Sequence, residues 1–174
     1  RYGVAPDPVD WRAMSFAPRH PDFAAKVRAS FDAQRFMQHV GARLTEIEPG
    51  RCTVETDHDP SLTQQHGFFH AGVVATLADD AAGYAAFTLM DALDSILTVE
   101  FKVNLVAPAK GDRLVARGEV LRSGRTLSTC RADVFVVRDG EEHLCAASQA
   151  TLMRLVGGFG GEGGPTGNSG HGQG

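Results

Sequence analysis

Cysteine is scarce in this chain, and its few copies form no useful pattern. Cys52, Cys130 and Cys145 lack metal-ligand spacing, and an odd number makes a poor disulfide framework, so a reducing, cytoplasmic setting is expected. Dense Lys/Arg runs are also missing, and a formal net charge of -4 offers no long-range attraction to nucleic acid or to an anionic membrane surface. No apolar stretch suits a membrane span: the most apolar, from Ala71 to Met90, is interrupted by Asp79, Asp80 and two glycines. The opening RYGVAPDPVDW lacks the charged-then-apolar order of a secretory signal. No G-x-S-x-G occurs, which argues against a serine nucleophile elbow. His58, His66 and His70, with Asp57 and Asp59, have no H-E-x-x-H or other tight ligand spacing, so neither a metal nor another cofactor is expected. There is no internal repeat.

What is present suits one compact domain: 174 residues, 43% of them hydrophobic, can bury a sizeable core. Four of the eight prolines fall in the first 21 residues, so residues 1–20 read as an irregular arm. Residues 157–174 are dominated by Gly with Ser, Asn and Gln and read as a disordered tail. Between them, residues 21–156 form the expected domain. Phe23, Val27, Phe31, Phe36 and Val40 recur at roughly helical spacing and predict one amphipathic helix ended by Gly41. Ala42–Ile47 and Arg51–Thr56 alternate around Pro49-Gly50 and predict a hairpin. A polar loop leads to a central helix over about 71–90. Four long alternating segments follow, Ser95–Pro108, Arg113–Leu121, Thr126–Arg138 and His143–Leu155, with turns at Ser123-Gly124 and Asp139-Gly140. The expected class is α+β, an antiparallel sheet wrapped around the long central helix.

The segment QQHGFFHAGVVATLADDAAGYAA, Gln64–Ala86, carries the chemistry. It joins a polar Gly/His-rich turn to an alanine-rich helix with Asp79 and Asp80 in its middle. Neither acid has a Lys or Arg within a helical turn. Carboxylates on an apolar helix are costly unless solvated, placed at a subunit boundary or used in a reaction. Ala71, Ala75, Ala78, Ala82 and Ala85 form a methyl stripe that would let a neighbour approach closely, and Val74, Leu77, Ala81 and Tyr84 form a second apolar strip.

Gln64, then His70-Ala71-Gly72, then Leu77-Ala78-Asp79 resembles the pattern of the PaaI-like hot-dog thioesterases. The stretch Thr98–Asp112 is similar to that family's first long strand after the helix, and the likeness spans about residues 35–155. Where the family has its first glycine this chain has Ala71, which keeps the N–H donor. The resemblance implies an acyl-CoA thioesterase with Asp79 as general base or nucleophile and Gln64 orienting water. It further implies the Ala71 N–H as donor to the thioester carbonyl, His70 positioning that turn, Gly72 as a substrate-binding position and Thr98 near the attacking water. It implies sites shared between the subunits of a homodimer or homotetramer. An aromatic or medium-chain acyl group is expected, with Phe68, Phe69, Tyr84 and Phe87 as pocket or ordinary core. Arg122 and Arg125 are candidate contacts for coenzyme A phosphates, or simply solvated turn cations.

Two other readings compete. A hot-dog hydratase or dehydratase would use Asp-x-Asn-Pro followed by His, of which Asp57-His58-Asp59-Pro60 is a partial echo. A non-catalytic acyl-CoA-binding module would keep the pocket without turnover.

Overall fold

The computed structural model describes residues 15–159. Most of the expected arm (1–20) and of the Gly-rich tail (157–174) lies outside the described residues.

Two short helices come first, α1 (Phe23–Asp32) and α2 (Arg35–His39). The expected single helix is therefore corrected. Gln34 is extended, with φ -77 and ψ 103, and stands just before α2 without capping it through its side chain. This break lets Phe31 and Met37 both enter the core, whereas Phe36, assigned to the apolar face by spacing, stands 57% exposed. Strands β1 (Arg43–Glu48) and β2 (Arg51–Asp57) form the expected hairpin, with Gly50 at φ 79 in its turn. A single 3-10 turn at Pro60–Leu62 precedes α3 (Ala71–Phe87). The chain then runs through β3 (Ser95–Leu105), β4 (Arg113–Ser123), β5 (Leu127–Arg138) and β6 (Glu141–Leu155). Asp139 and Gly140 both take positive φ, 54 and 80, as a tight hairpin turn requires.

The six strands are antiparallel in the order β1-β2-β4-β5-β6-β3. The expectation of a sheet wrapped around the helix is overturned. The sheet is open, with β1 and β3 each paired on one side, and it neither closes nor curls around α3. The fold is hot-dog-like: α3 packs on one sheet face, chiefly over β4, β2 and β5.

Side-chain size explains why contact does not require enclosure. Register pairs Cys52 with Gly118, Gly118 with Ala132 and Ala132 with Ser148, so a row of small residues crosses β2, β4, β5 and β6. On the helix, Ala78, Ala81, Ala82 and Ala85 are fully buried. A Cβ built on Gly118 would stand 2.0 Å from the Ala81 carbonyl oxygen and 2.6 Å from the Ala82 nitrogen. The helix backbone rests directly on the glycine. Alanine also has the highest intrinsic helix propensity, so the residues that permit this approach also favour the helix.

Both ends of α3 are tied. His70 caps the start, its Nδ1 accepting from the Gly72 N–H at 2.9 Å. Just past the end, Thr88 donates to the Ala85 carbonyl at 2.6 Å and accepts from the Gly50 N–H at 2.7 Å. Lys26 Nζ then donates to the Met90 and Asp91 carbonyls.

Because the obstacle at Gly118 is backbone, Gly118→Ala is expected to destabilise by about 3 kcal/mol, the upper end for overpacking. Urea denaturation measures it; a loss below about 0.5 kcal/mol would contradict this seating of α3.

Candidate active site

Two groups of candidate side chains flank α3. The first is the turn before it. The Gln64 N–H donates to Phe68 O at 2.9 Å, Gly67 takes φ 77, and Thr63 and Phe69 form an isolated bridge. The His70 N–H donates to Leu62 O at 2.8 Å and Phe69 N–H to Ala109 O at 2.9 Å, fixing the turn to the body. In the first helical turn, the Gly72 N–H is held by His70, and the Val73 and Val74 N–H groups bond the His70 carbonyl. Ala71 alone of these four keeps an N–H with no acceptor among the described residues. It lines a 530 Å³ cleft with Gln64, Phe68, Phe69, Val74 and Leu105. The exposed helix end there carries partial positive charge.

The second group lies two turns along. Asp79 and Asp80 are half-buried, and no ion pair among the described residues involves either. Thr98 Oγ1 donates to Asp79 Oδ1 at 2.9 Å. A bulge aims it: Thr98 pairs with Leu152 and Glu100 with Thr151, leaving Val99 over. Burial pushes Asp79 above the ordinary carboxylate value of 3.8, while the Thr98 hydrogen bond opposes the rise. Asp80 is pushed up to about 6, mainly by burial, with the Gln34 hydrogen bond opposing and the Asp79 charge adding. Both acids line a separate 370 Å³ cleft with Ser30, Gln34, Gly83, Tyr84 and Thr98.

One chain does not bring all the expected residues together. Gln64 and Ala71 share one cleft, Asp79 and Thr98 the other. Eight residues of helix separate Ala71 from Asp79, about 12 Å along the axis. Arg122 and Arg125 are exposed and line neither cleft. Register places Thr98, Leu152, Ser128 and Ser123 in one row, so the arginine hairpin caps the same end of the sheet as Thr98, three strands away.

Residues 66–143 match the model of the thioesterase superfamily. A thioesterase family protein from Silicibacter pomeroyi is 50% identical, with a TM-score of 0.76 over 78% of this chain and 99% of that one. The chain belongs to the thioesterase superfamily. Human acyl-coenzyme A thioesterase 13 is 26% identical over 110 residues, 62% of this chain and 78% of that protein. The PaaI protein of E. coli, from the phenylacetic acid degradation operon, shares the fold, with a TM-score of 0.69 over 78% of this chain and 94% of that one at 16% identity. That likeness is one of fold. The chain is a thiolester hydrolase.

Other nucleophiles in this thioesterase are poorly placed. The three cysteines are free and buried; burial raises the Cys52 thiol far up, Cys130 to about 12 and Cys145 to about 11. The hydratase-like tetrad has structural tasks: Asp57 pairs with Arg43 at 2.7 Å, and Asp59 accepts from the Ser61 N–H and hydroxyl. Among the described residues no three His, Cys, Asp or Glu cluster as metal ligands, and no helix is long and apolar enough to cross a membrane. Of the expected pocket aromatics, Phe68 lines the first cleft and Tyr84 the second, while Phe87 is core beneath Lys26.

Sequence reasoning missed Ser30 and Gln34. Gln34 Nε2 donates to Asp80 Oδ1 at 2.8 Å and to the Tyr84 hydroxyl at 2.6 Å. These contacts cross 46 and 50 positions, and the break that frees Gln34 has no local Pro or Gly signal.

The raised Asp80 value has a consequence for stability. Between its unfolded value near 3.8 and its folded value of about 6, the folded state holds more protons. Stability from this group therefore falls as pH rises through that window and stays lower above it. Asp80→Asn, which keeps an acceptor for Gln34, is expected to stabilise by about 1–2 kcal/mol at pH 8. The gain should vanish below about pH 3.5. Denaturation across pH checks it; an equal effect at both extremes would contradict the assignment.

Proposed function

We propose that this thioesterase hydrolyses an aromatic or medium-chain acyl-CoA at a site shared by two copies of the chain. One copy supplies Asp79 and Thr98, the other Gln64 and the Ala71 N–H. The observation that carries the reading is Asp79 itself: a carboxylate with no ion-pair partner among the described residues, raised by burial, hydrogen-bonded by Thr98 and open to a cleft.

A thiolate leaves readily because its conjugate thiol has a pKa of about 8.5, so no strong general acid is needed. Hydrolysis requires a nucleophile and a place for the developing oxyanion. Asp79 removes a proton from water or attacks the carbonyl itself, and burial makes it a stronger base than an exposed carboxylate. Thr98 holds one carboxylate oxygen and directs the other toward the reacting atoms. The Ala71 N–H, reinforced by the helix end, receives the carbonyl oxygen as it gains charge. His70 occupies the Gly72 N–H and so leaves Ala71 as the donor, which makes it a positioning residue. Gln64 orients the water from the same turn.

Two copies are required because the helix holds donor and acid about 12 Å apart within one chain. The open β3 edge supports a pairing that would join them. Val99, Phe101, Leu105 and Val106 along it are 56%, 45%, 56% and 55% exposed, a strip of unpaired strand and apolar side chains. The 370 Å³ cleft beside Asp79, with walls of Ile96, Leu97 and Leu152, suits a ring or a medium chain. Arg122 and Arg125 are proposed to meet the phosphates of coenzyme A.

Thiol release from a panel of aromatic and medium-chain acyl-CoAs tests the reading. Asp79→Asn is expected to lower kcat/KM at least about 100-fold. In the wild type, kcat/KM should fall on acidification with a midpoint above 3.8, because the working form of Asp79 is ionised. Activity within a few-fold of wild type in Asp79→Asn would rule out this role.

A further inference from the structure

The tetrad Asp57-His58-Asp59-Pro60 takes no part in the chemistry derived so far, yet it stands at the root of the turn that carries Gln64 and Ala71. Asp59 Oδ1 accepts from the Ser61 N–H at 2.8 Å and from the Ser61 hydroxyl at 2.6 Å. This caps the 3-10 turn at Pro60–Leu62, in which the Asp59 carbonyl also accepts from the Leu62 N–H at 2.9 Å. Pro60 O closes the turn, accepting from the Thr63 hydroxyl at 2.8 Å and the Thr63 N–H at 3.2 Å. So short a turn has little stability of its own, and the cap decides whether it keeps its shape. Leu62, only 7% exposed, leaves the turn with its carbonyl accepting from the His70 N–H at 2.8 Å. His70 immediately precedes Ala71.

His58 acts on the other side of the same turn. Its N–H donates to Asp112 O at 2.8 Å, and its ring stands edge-on to Phe69, with centroids 5.4 Å apart at 79°. The Phe69 N–H donates to Ala109 O at 2.9 Å, so the tetrad and residues 109–112 grip Phe69 between them. That loop is seated on β5: a Cβ on Gly111 would stand 2.1 Å from the Val137 carbonyl oxygen, which also accepts from the Asp112 N–H at 2.8 Å. Two successive N–H groups, of Phe69 and His70, are thus fixed by acceptors outside the turn. The next one along, on Ala71, is the candidate oxyanion donor. Such a donor must be placed in advance, about 3 Å from the developing charge, and a displacement of about 1 Å can cost about 100-fold in rate.

We propose that Asp59 and His58 are positioning residues for thioester hydrolysis, holding the Ala71 N–H where the carbonyl oxygen gains charge. The proposal rests on the role given to Ala71 under the proposed function. Asp59 acts through Ser61, Leu62 and His70, and His58 through Phe69 and the 109–112 loop. Neither touches the substrate. The carboxylate of this hydratase-like tetrad is turned onto its own backbone, so the echo of another chemistry serves as a brace for this one.

Two readouts on the full chain test this, one of them independent of activity. Residue-resolved amide hydrogen exchange reports on the brace itself. Asp59→Ala should speed exchange of the His70 N–H about tenfold or more while amides in the middle of β5 keep wild-type rates. Asp59→Asn, which keeps the accepting oxygen, should stay within about twofold of wild type at both places. Hydrolysis of benzoyl- and hexanoyl-coenzyme A then reads the effect on the reaction. On whichever ester the wild type turns over, Asp59→Ala and His58→Ala should each lower kcat about tenfold, with KM within about twofold, because a displaced donor weakens the transition state rather than substrate binding. Asp59→Asn and His58→Phe, the latter keeping a ring against Phe69, should bring kcat back to within about threefold of wild type. Unchanged His70 exchange in Asp59→Ala overturns the brace. A loss carried by KM, or no recovery in the conservative variants, overturns the positioning role. If Asp79→Asn is inactive while Asp59→Ala and His58→Ala work like wild type, the positioning role falls and the proposed function stands. Absence of hydrolysis by the wild type counts against the proposed function and removes the positioning role with it.

Discussion

The length of α3 is the constraint from which the proposed site follows. Its first free N–H, at Ala71, and its half-buried acid, at Asp79, belong to one rigid rod and are about 12 Å apart. A thioester carbonyl needs an oxyanion donor and a nucleophile within about 3 Å of its own atoms. No bending of α3 is available to reconcile them, because the rod is seated on Gly118 and the small-residue row and tied at both ends by His70 and Thr88. What one copy holds apart, two antiparallel copies can bring together.

The same seating sets the electrostatics. With Ala81 and Ala82 lowered onto Gly118, the side of α3 carrying Asp79 and Asp80 looks into the gap between β3 and α1, half out of water. Thr98 partners one acid and Gln34 the other, and among the described residues no cation pairs with either. Adjacent positions on one helix thus acquire different environments. Asp79 has a single hydroxyl and an open cleft, which suits a base. Asp80 sits in an amide-phenol-hydroxyl chain.

Much of this was legible from local signals. Pro49-Gly50 and Asp139-Gly140 announce their hairpins because turn conformation depends on those residues themselves. The central helix is written in its alanines, and Gln64, His70, Ala71 and Asp79 are conspicuous by residue type and spacing. Distant causes were hidden. The break at Ala33–Gln34 makes sense only once Asp80 and Tyr84 are seen to receive Gln34. Gly118 looks like an ordinary strand glycine until the Ala81 carbonyl is found against it. Openness of the sheet was misjudged because closure is decided by strand order and edge pairing, and a methyl stripe reports close approach without saying from how many sides. Thr98 reaches Asp79 through a bulge at Val99 that no turn residue signals.

Subunit complementation tests the shared site most directly. Asp79→Asn and Gln64→Ala each disable both sites of a symmetric pair, but a mixed pair retains one site with an intact Asp79 facing an intact Gln64. Equimolar mixing with subunit exchange gives mixed pairs as half the population, so activity should return to about a quarter of wild type. Activity no greater than the mean of the two separate variants would contradict a site built from two chains.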